Sequence, residues 1–263
     1  MSPSSPRRAV RRRSCLRVLT TFLVAVAAVG CGRYAQVERI TTAPGVGDAA
    51  AIELLATGAH TTALDTWAHK RATTLSIPMR AARAYGYAAI VVAKSQPECH
   101  VGWTTLAGIA EIESDHGRFR GATITAEGMV RPVIRGVALD GTNGNARIVD
   151  PEASARAAQT VFVRAAGPFQ FIPDTWERWG IRAGVGREAA ERLIDAGKTG
   201  LPQETLGSPD NIDDAALAAA RYLCASGGDL STSTGWRQAI FSYNHSDAYV
   251  ARVYAAASSY AAR

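Results

Sequence analysis

Glu113 is the residue of this chain best placed to do acid–base chemistry. It lies in Trp103-Thr-Thr-Leu-Ala-Gly-Ile-Ala-Glu-Ile-Glu-Ser-Asp-His-Gly117. On a helix of about 100° per residue, Trp103, Leu106, Ile109 and Ala110 form one apolar face, with Ala107 and Ile112 at its margins. Glu113 falls near the middle of that face. Glu111 points away from it and reads as an ordinary solvated carboxylate. Gly117 is the expected helix stop, and His116 in the last turn suits the negative end of the helix dipole. A carboxyl among apolar groups either finds a cation or holds its proton to higher pH. The first outcome would pair Glu113 with Arg118 or Arg120. The second makes it a general acid of the kind that cleaves a glycosidic bond.

Other segments must position that carboxyl. Pro78 suits the first position of a helix running to Lys94. Residues 118–150 change to Gly, Thr and β-branched types, with Asp140-Gly141 and Asn143-Gly144 as turn signals, and predict short strands or an extended loop. Ala153 to Ala165 reads as helix. Gly167-Pro168 makes a turn, Gln170 stands between two Phe residues, and Pro173 opens a helix carrying Trp176 and Trp179. The Gln170 amide suits a sugar hydroxyl or N-acetyl group, or else a bond to its own backbone. Asn211 caps a helix over 212–225, closed by Gly227-Gly228. A last helical unit from Trp236 is interrupted at Tyr243-Asn244-His245-Ser246-Asp247 and resumes near Tyr249.

The chain has 263 residues and a net charge of +6. Arg7, Arg8, Arg11, Arg12, Arg13 and Arg17 lie in the first thirty residues, with no acid beside them. Removing these six from the 29 basic residues leaves 23, equal to the 23 acidic ones. The remainder offers no basic stripe for nucleic acid. Those arginines precede the apolar run Val18 to Val29, which is too short to span a bilayer and suits an export signal. Ala28-Val29-Gly30-Cys31 resembles a bacterial lipobox, with Ala28 where Leu is usual, so residues 1–31 read as a signal whose Cys31 becomes lipidated. The alternative is a plain secretory signal. Arg12-Arg13-Ser14-Cys15-Leu16 has a weak likeness to a twin-arginine signal. Residues 32–75 read as a tether and N-terminal extension, and 76–263 as the folded domain. Leu64 to Ala68, with Trp67, can already belong to that domain.

Exclusions narrow the chemistry. The five His residues show no zinc-ligand spacing, and neither a P-loop nor a Gly-x-Ser-x-Gly elbow is present. Cys99 and Cys224 are the cysteines left once Cys15 and Cys31 are set aside. In an exported chain an even count favours a Cys99–Cys224 disulfide, against two free core thiols or a thiol hydrolase.

Three stretches in order resemble the lytic transglycosylases of bacterial cell walls, above all the actinobacterial group related to membrane-bound lytic transglycosylase B. They are Leu106-Ala-Gly-Ile-Ala-Glu-Ile-Glu-Ser-Asp-His-Gly117, Ala166-Gly-Pro-Phe-Gln-Phe-Ile-Pro-Asp-Thr-Trp176 and Ser242-Tyr-Asn-His-Ser-Asp-Ala-Tyr249. Ile77-Pro78 and Asp214 to Cys224 also fit, and the resemblance spans roughly residues 64 to 260. Departures fall in 118–160 and 181–209. Phe169 stands where the family has Met, and the acidic residues usual between the first two motifs give way to Asp150-Pro-Glu-Ala-Ser-Ala-Arg156.

The resemblance implies a mainly α (α+β), lysozyme-like domain with a small irregular or β insertion and a metal-free, cofactor-free site. It implies peptidoglycan glycan strands as substrate and Glu113 as acid, then base. Gln170, Tyr243 and Asn244 match positions that line the sugar cleft. Ser114 belongs to the same motif, as a cleft residue or as a helix-end hydrogen bond. Two alternatives stay open: a hydrolytic muramidase using Asp115 or Asp140 as second carboxylate, and a catalytically silent wall-binding lipoprotein. The expected location is the cell envelope, on the outer face of the cytoplasmic membrane. The oligomeric state is not assigned.

Overall fold

A computed structural model describes residues 40–45, 62–185, 189–190, 192–193 and 205–262. The export segment and Cys31 lie outside the described residues. The described chain is mainly helical, with two small antiparallel sheets. The helices are α1 Thr62–Leu75, α2 Met79–Ser95, α3 Trp103–Ser114, α4 Pro151–Ala157, α5 Pro173–Trp179, α6 Ile212–Gly227, α7 Ser233–Tyr243 and α8 Asp247–Ala261. The strands are β1 Thr123–Ile124, β2 Val130–Arg131, β3 Arg135–Ala138 and β4 Arg164–Ala166, paired β1 to β2 and β3 to β4. Among the described residues no helix is long and apolar enough to cross a membrane.

The helix starts follow their capping chemistry. The Asn211 side chain accepts from the N–H groups of Asp213 and Asp214 at the head of α6, and Gly228 closes that helix at φ 68°. Ser246 caps α8 through the Tyr249 N–H, and Thr232 caps α7 through that of Gly235. Pro78 sits one position before α2 rather than inside it, and its carbonyl accepts from Ala81 and Ala82.

The core is built around α2, which packs on α1, α3 and α6. Helical packing begins earlier than residue 76. Within the stretch read as tether and extension, α1 buries Leu64, Trp67 and Ala68. Gly86 of α2 leaves room for the Trp67 ring, which a β-carbon there would meet at 2.7 Å. The apolar positions of 62–75 therefore need the rest of the domain as a partner. Cys99 and Cys224 are joined, with Cα atoms 5.4 Å apart, tying the approach to α3 to the C-terminal part of α6.

The most extensive helix pair is α3 with α8. They cross at Gly108, where a β-carbon would sit 3.0 Å from the Ala257 nitrogen and 3.1 Å from the Val253 oxygen. This close approach brings α8 side chains to both Glu113 and Glu111. Gly108→Val should overpack the crossing and destabilise the domain by about 1–3 kcal/mol, read as a lower chemical-denaturation midpoint. Stability equal to the parent would mean that the crossing tolerates a wider spacing.

The expected helix over 153–165 is shorter than its pattern. It starts at Pro151, capped by Asp150, and ends at Ala158 in the left-handed region at φ 50°. The run Thr160-Val161-Phe162-Val163 is β-branched and aromatic, which favours extended backbone, and it leads into β4. The segment 118–150 carries the short strands expected of it, with Gly141 and Gly144 both at positive φ in the turns. The head of α6 anchors this insertion. Arg80 pairs with Asp213 and donates to the Ala126 carbonyl at 3.0 Å, Arg135 forks onto Asp210 at 2.6 and 2.9 Å, and Asn211 donates to the Glu127 carbonyl at 2.9 Å.

Candidate active site

Glu113 occupies the last turn of α3, whose apolar face is fully engaged: Trp103, Leu106, Ile109 and Ala110 are at most 1% exposed. The helix stops three residues short of the Gly117 expected from its sequence. Asp115, His116 and Gly117 all lie in the left-handed region, at φ 52°, 56° and 83°. Such a run is costly for Asp and His, and several bonds hold it. The His116 N–H reaches the Ala110 carbonyl at 3.0 Å, and the Gly117 N–H reaches the Ser114 hydroxyl at 2.8 Å. Asp115 pairs with Arg118 at 2.6 Å.

Glu113 is only partly exposed and makes no ion pair with Arg118 or Arg120. Arg118 is held by Asp115 and by the Ser76 carbonyl, and Arg120 lies over the Phe119 ring. Glu113 Oε1 instead accepts from the Tyr249 hydroxyl of α8 at 2.6 Å. Desolvation pushes its pKa up from 4.5 to about 7, against the opposing pull of the Tyr249 hydrogen bond and the Arg252 charge. The carboxyl is thus half protonated near neutrality.

Ser114 is buried, and its hydroxyl donates to the Pro168 carbonyl at 2.7 Å while accepting from Gly117. Read as a cleft residue or a helix-end bond, it takes the second part, because both roles of its oxygen are filled by backbone. It fastens the end of α3 to the 167–170 turn. Tyr243, the last residue of α7, donates to the Phe169 carbonyl of that turn at 2.7 Å. Burial, and next the nearby Glu113 charge, raise its pKa well above the usual value. Its ring packs between Phe171 and Tyr222, and Trp176 and Trp179 flank those two.

Gln170 is half-buried at φ 49°, and its amide nitrogen donates to the Gly167 carbonyl at 2.7 Å. The bond to its own turn, foreseen as the alternative to a sugar contact, is therefore made. Its carbonyl oxygen has no hydrogen-bond partner among the described residues and lies against Gly136 of β3, where a β-carbon would come within 2.8 Å. Asn244 caps the end of α7 and is exposed, with no side-chain hydrogen bond among the described residues. One turn of chain, 167–170, thus carries Gln170 and bonds both Ser114, the neighbour of Glu113, and Tyr243, and Asn244 follows Tyr243 directly. Cys99 and Cys224 serve the scaffold.

Of two expectations about the neighbours of Glu113, one is extended and one corrected. Glu111 is exposed, but it accepts from the Tyr260 hydroxyl at 2.6 Å, because α8 crosses α3 closely enough to reach it. His116 is buried, and burial lowers its pKa to about 4, so it is neutral and adds no charge to the helix end. Its Nε2 lies 3.0 Å from the Tyr260 oxygen and its Nδ1 3.2 Å from that of Tyr85. Since Tyr260 donates to Glu111, Nε2 carries the proton and Nδ1 accepts from Tyr85.

Neither candidate second carboxylate is supported by its surroundings. Asp115 is forked by Arg118, and Asp140 caps its own turn through the Thr142 N–H and hydroxyl.

Tyr249 is the site residue whose role the sequence did not disclose. Its only signal is position: with Val250, Val253, Ala256, Ala257 and Tyr260 it forms the buried stripe of α8, and a tyrosine on such a stripe needs an acceptor. Its hydrogen bond favours the charged form of Glu113. Tyr249→Phe should therefore raise the Glu113 pKa above about 7, as carboxyl-labelled NMR titration would read. An unchanged or lower value would remove Tyr249 from control of that proton.

Comparison of the chain with protein-family models, with curated proteins and with solved structures gives no match.

Proposed function

We propose that the protein is a peptidoglycan lytic transglycosylase with a lysozyme-like helical domain. The observation that carries this reading is Glu113: a carboxyl held near pKa 7 by burial and oriented by the Tyr249 hydroxyl. The ordered resemblance of its three motifs to that family supplies the substrate. Protonated Glu113 gives its proton to the oxygen linking N-acetylmuramic acid to N-acetylglucosamine, and the C1–O bond breaks. The carboxylate so formed takes the proton of the muramoyl C6 hydroxyl as that oxygen bonds to C1. The product is a 1,6-anhydro ring, no water is consumed, and Glu113 ends protonated.

A paired-carboxylate glycosidase needs a second acid group to act on water or as nucleophile. Here the substrate's own hydroxyl takes that part, in keeping with the prior engagement of Asp115 and Asp140. Asn244 offers its amide group to the sugars and Gln170 its carbonyl oxygen, and Tyr243 holds the turn that carries Gln170. The basic and apolar leader ending at Cys31 supports export and lipid anchoring at the outer face of the cytoplasmic membrane, where this substrate lies.

Mass spectrometry of muropeptides released by the purified mature domain tests the reading. Anhydro ends, lighter by one water than hydrolysed ends, are expected. Hydrolysed ends would make it a muramidase, and absence of cleavage a wall-binding protein.

A further inference from the structure

A cation beside Glu113 works against the proton that a general acid must keep. Arg252 is such a cation. It follows Tyr249 by three residues on α8, so both project from the same side of that helix. Its charge pulls down the pKa of Glu113 and also that of Tyr249. The side chain is exposed, and it has no hydrogen bond or ion pair among the described residues. By contrast, Arg118 pairs with Asp115, and Arg237 pairs with Asp247 at 2.9 Å. Arg252 is therefore an exposed cation with no ion pair among the described residues, one turn from the tyrosine that holds Glu113. An anion arriving with the substrate would supply an ion-pair partner.

We propose that Arg252 is a specificity-determining residue that binds a carboxylate carried by the substrate beside the bond broken at Glu113. The chemistry of that substrate rests on the transglycosylase reading above. A planar guanidinium fork matches a carboxylate in two parallel hydrogen bonds. A muramoyl residue offers such a group in either of two states. Without its peptide, the lactyl ether ends in a free carboxylate. With its peptide, that carboxyl is an amide, and the stem peptide carries carboxylates of its own. Occupation of Arg252 by either would offset its charge and so favour the protonated form of Glu113.

The test measures kcat/KM and Kd on three glycan preparations: peptide-bearing strands, amidase-stripped strands with free lactyl carboxylates, and stripped strands whose carboxylates have been amidated. Wild type, Arg252→Gln and Arg252→Lys are compared. Arg252→Gln is expected to reduce the preference for a carboxylate-bearing strand over the amidated one by about tenfold, the size of a charge-assisted hydrogen bond. Arg252→Lys should fall between, since it keeps the charge and loses the fork. A loss of preference for stripped strands identifies the lactyl carboxylate, and for peptide-bearing strands the stem peptide. An equal effect of Arg252→Gln on all three preparations, or none, overturns the anchor. If wild type cleaves its strands in that case, the transglycosylase reading stands alone. If wild type cleaves nothing but binds with an Arg252-dependent preference, the anchor stands and that reading fails. Absence of both binding and cleavage overturns both.

Discussion

Glu113→Gln is expected to abolish glycan cleavage while leaving the domain folded. Gln has the shape of the protonated acid and still accepts the Tyr249 hydrogen bond, but it can neither give a proton nor take one. General acid–base groups contribute roughly 10²- to 10⁴-fold, and a group that acts twice in one turnover belongs at the top of that range. Glu111→Gln is the matched control: it keeps an oxygen for Tyr260 and should retain most activity. Equal activity in the two variants would move the catalytic role away from Glu113.

The same substitution should stabilise the protein, in a defined pH window. The Glu113 carboxyl titrates at about 7 when folded, against 4.5 as a model value. Between those values the folded state holds a proton that the unfolded state has released. Stability is therefore lost as pH rises through the window, and the loss is complete above about 7. Gln carries no such penalty. Glu113→Gln should gain on the order of 2 kcal/mol at pH 8, a figure reduced for the partial exposure of the group, and nothing at pH 4. Melting curves at the two pH values read this directly. A gain at pH 4 equal to that at pH 8 would show a cause other than the buried charge.

The helix that carries Glu113 was largely legible in the sequence because its signal is local. Four apolar residues at helical spacing define a face, and all four are buried. Its end was not legible. The local rule puts the stop at Gly117, yet Asp115 and His116 take left-handed backbone that contacts far along the chain enforce, among them the Tyr85 and Tyr260 hydroxyls on the His116 ring. Glu111 and Tyr260 are 149 residues apart, and no periodicity within α3 announces that bond. Tyr249 was hidden in the same way: its motif was visible, but its acceptor depends on how α8 crosses α3 at Gly108. The helix expected over 153–165 is shortened for a different reason. The β-branched run from Thr160 favours extended backbone and ends the helix early.

The Cys99–Cys224 bridge should have the largest effect on stability. It spans 125 residues, and closing a loop of that length contributes about 5 kcal/mol in the chain-entropy model. The double variant Cys99→Ala, Cys224→Ala is the suitable probe, since a single change leaves a free thiol. Both residues are buried, so the variant also leaves small cavities. Two further bonds hold the same junction: the Leu230 N–H donates to the Cys99 carbonyl at 2.8 Å, and His100 Nδ1 lies 2.8 Å from an Asp229 carboxylate oxygen. These bonds should keep the start of α3 close to its native position after the bridge is gone. The expected result is therefore a sharp fall in the denaturation midpoint, with kcat close to that of the parent wherever the variant is still folded. A loss of kcat at full folding would mean that the bridge sets the position of Glu113 through α3. A stability within about 1 kcal/mol of the parent would mean that the unfolded chain is already compact enough for the cross-link to remove little entropy.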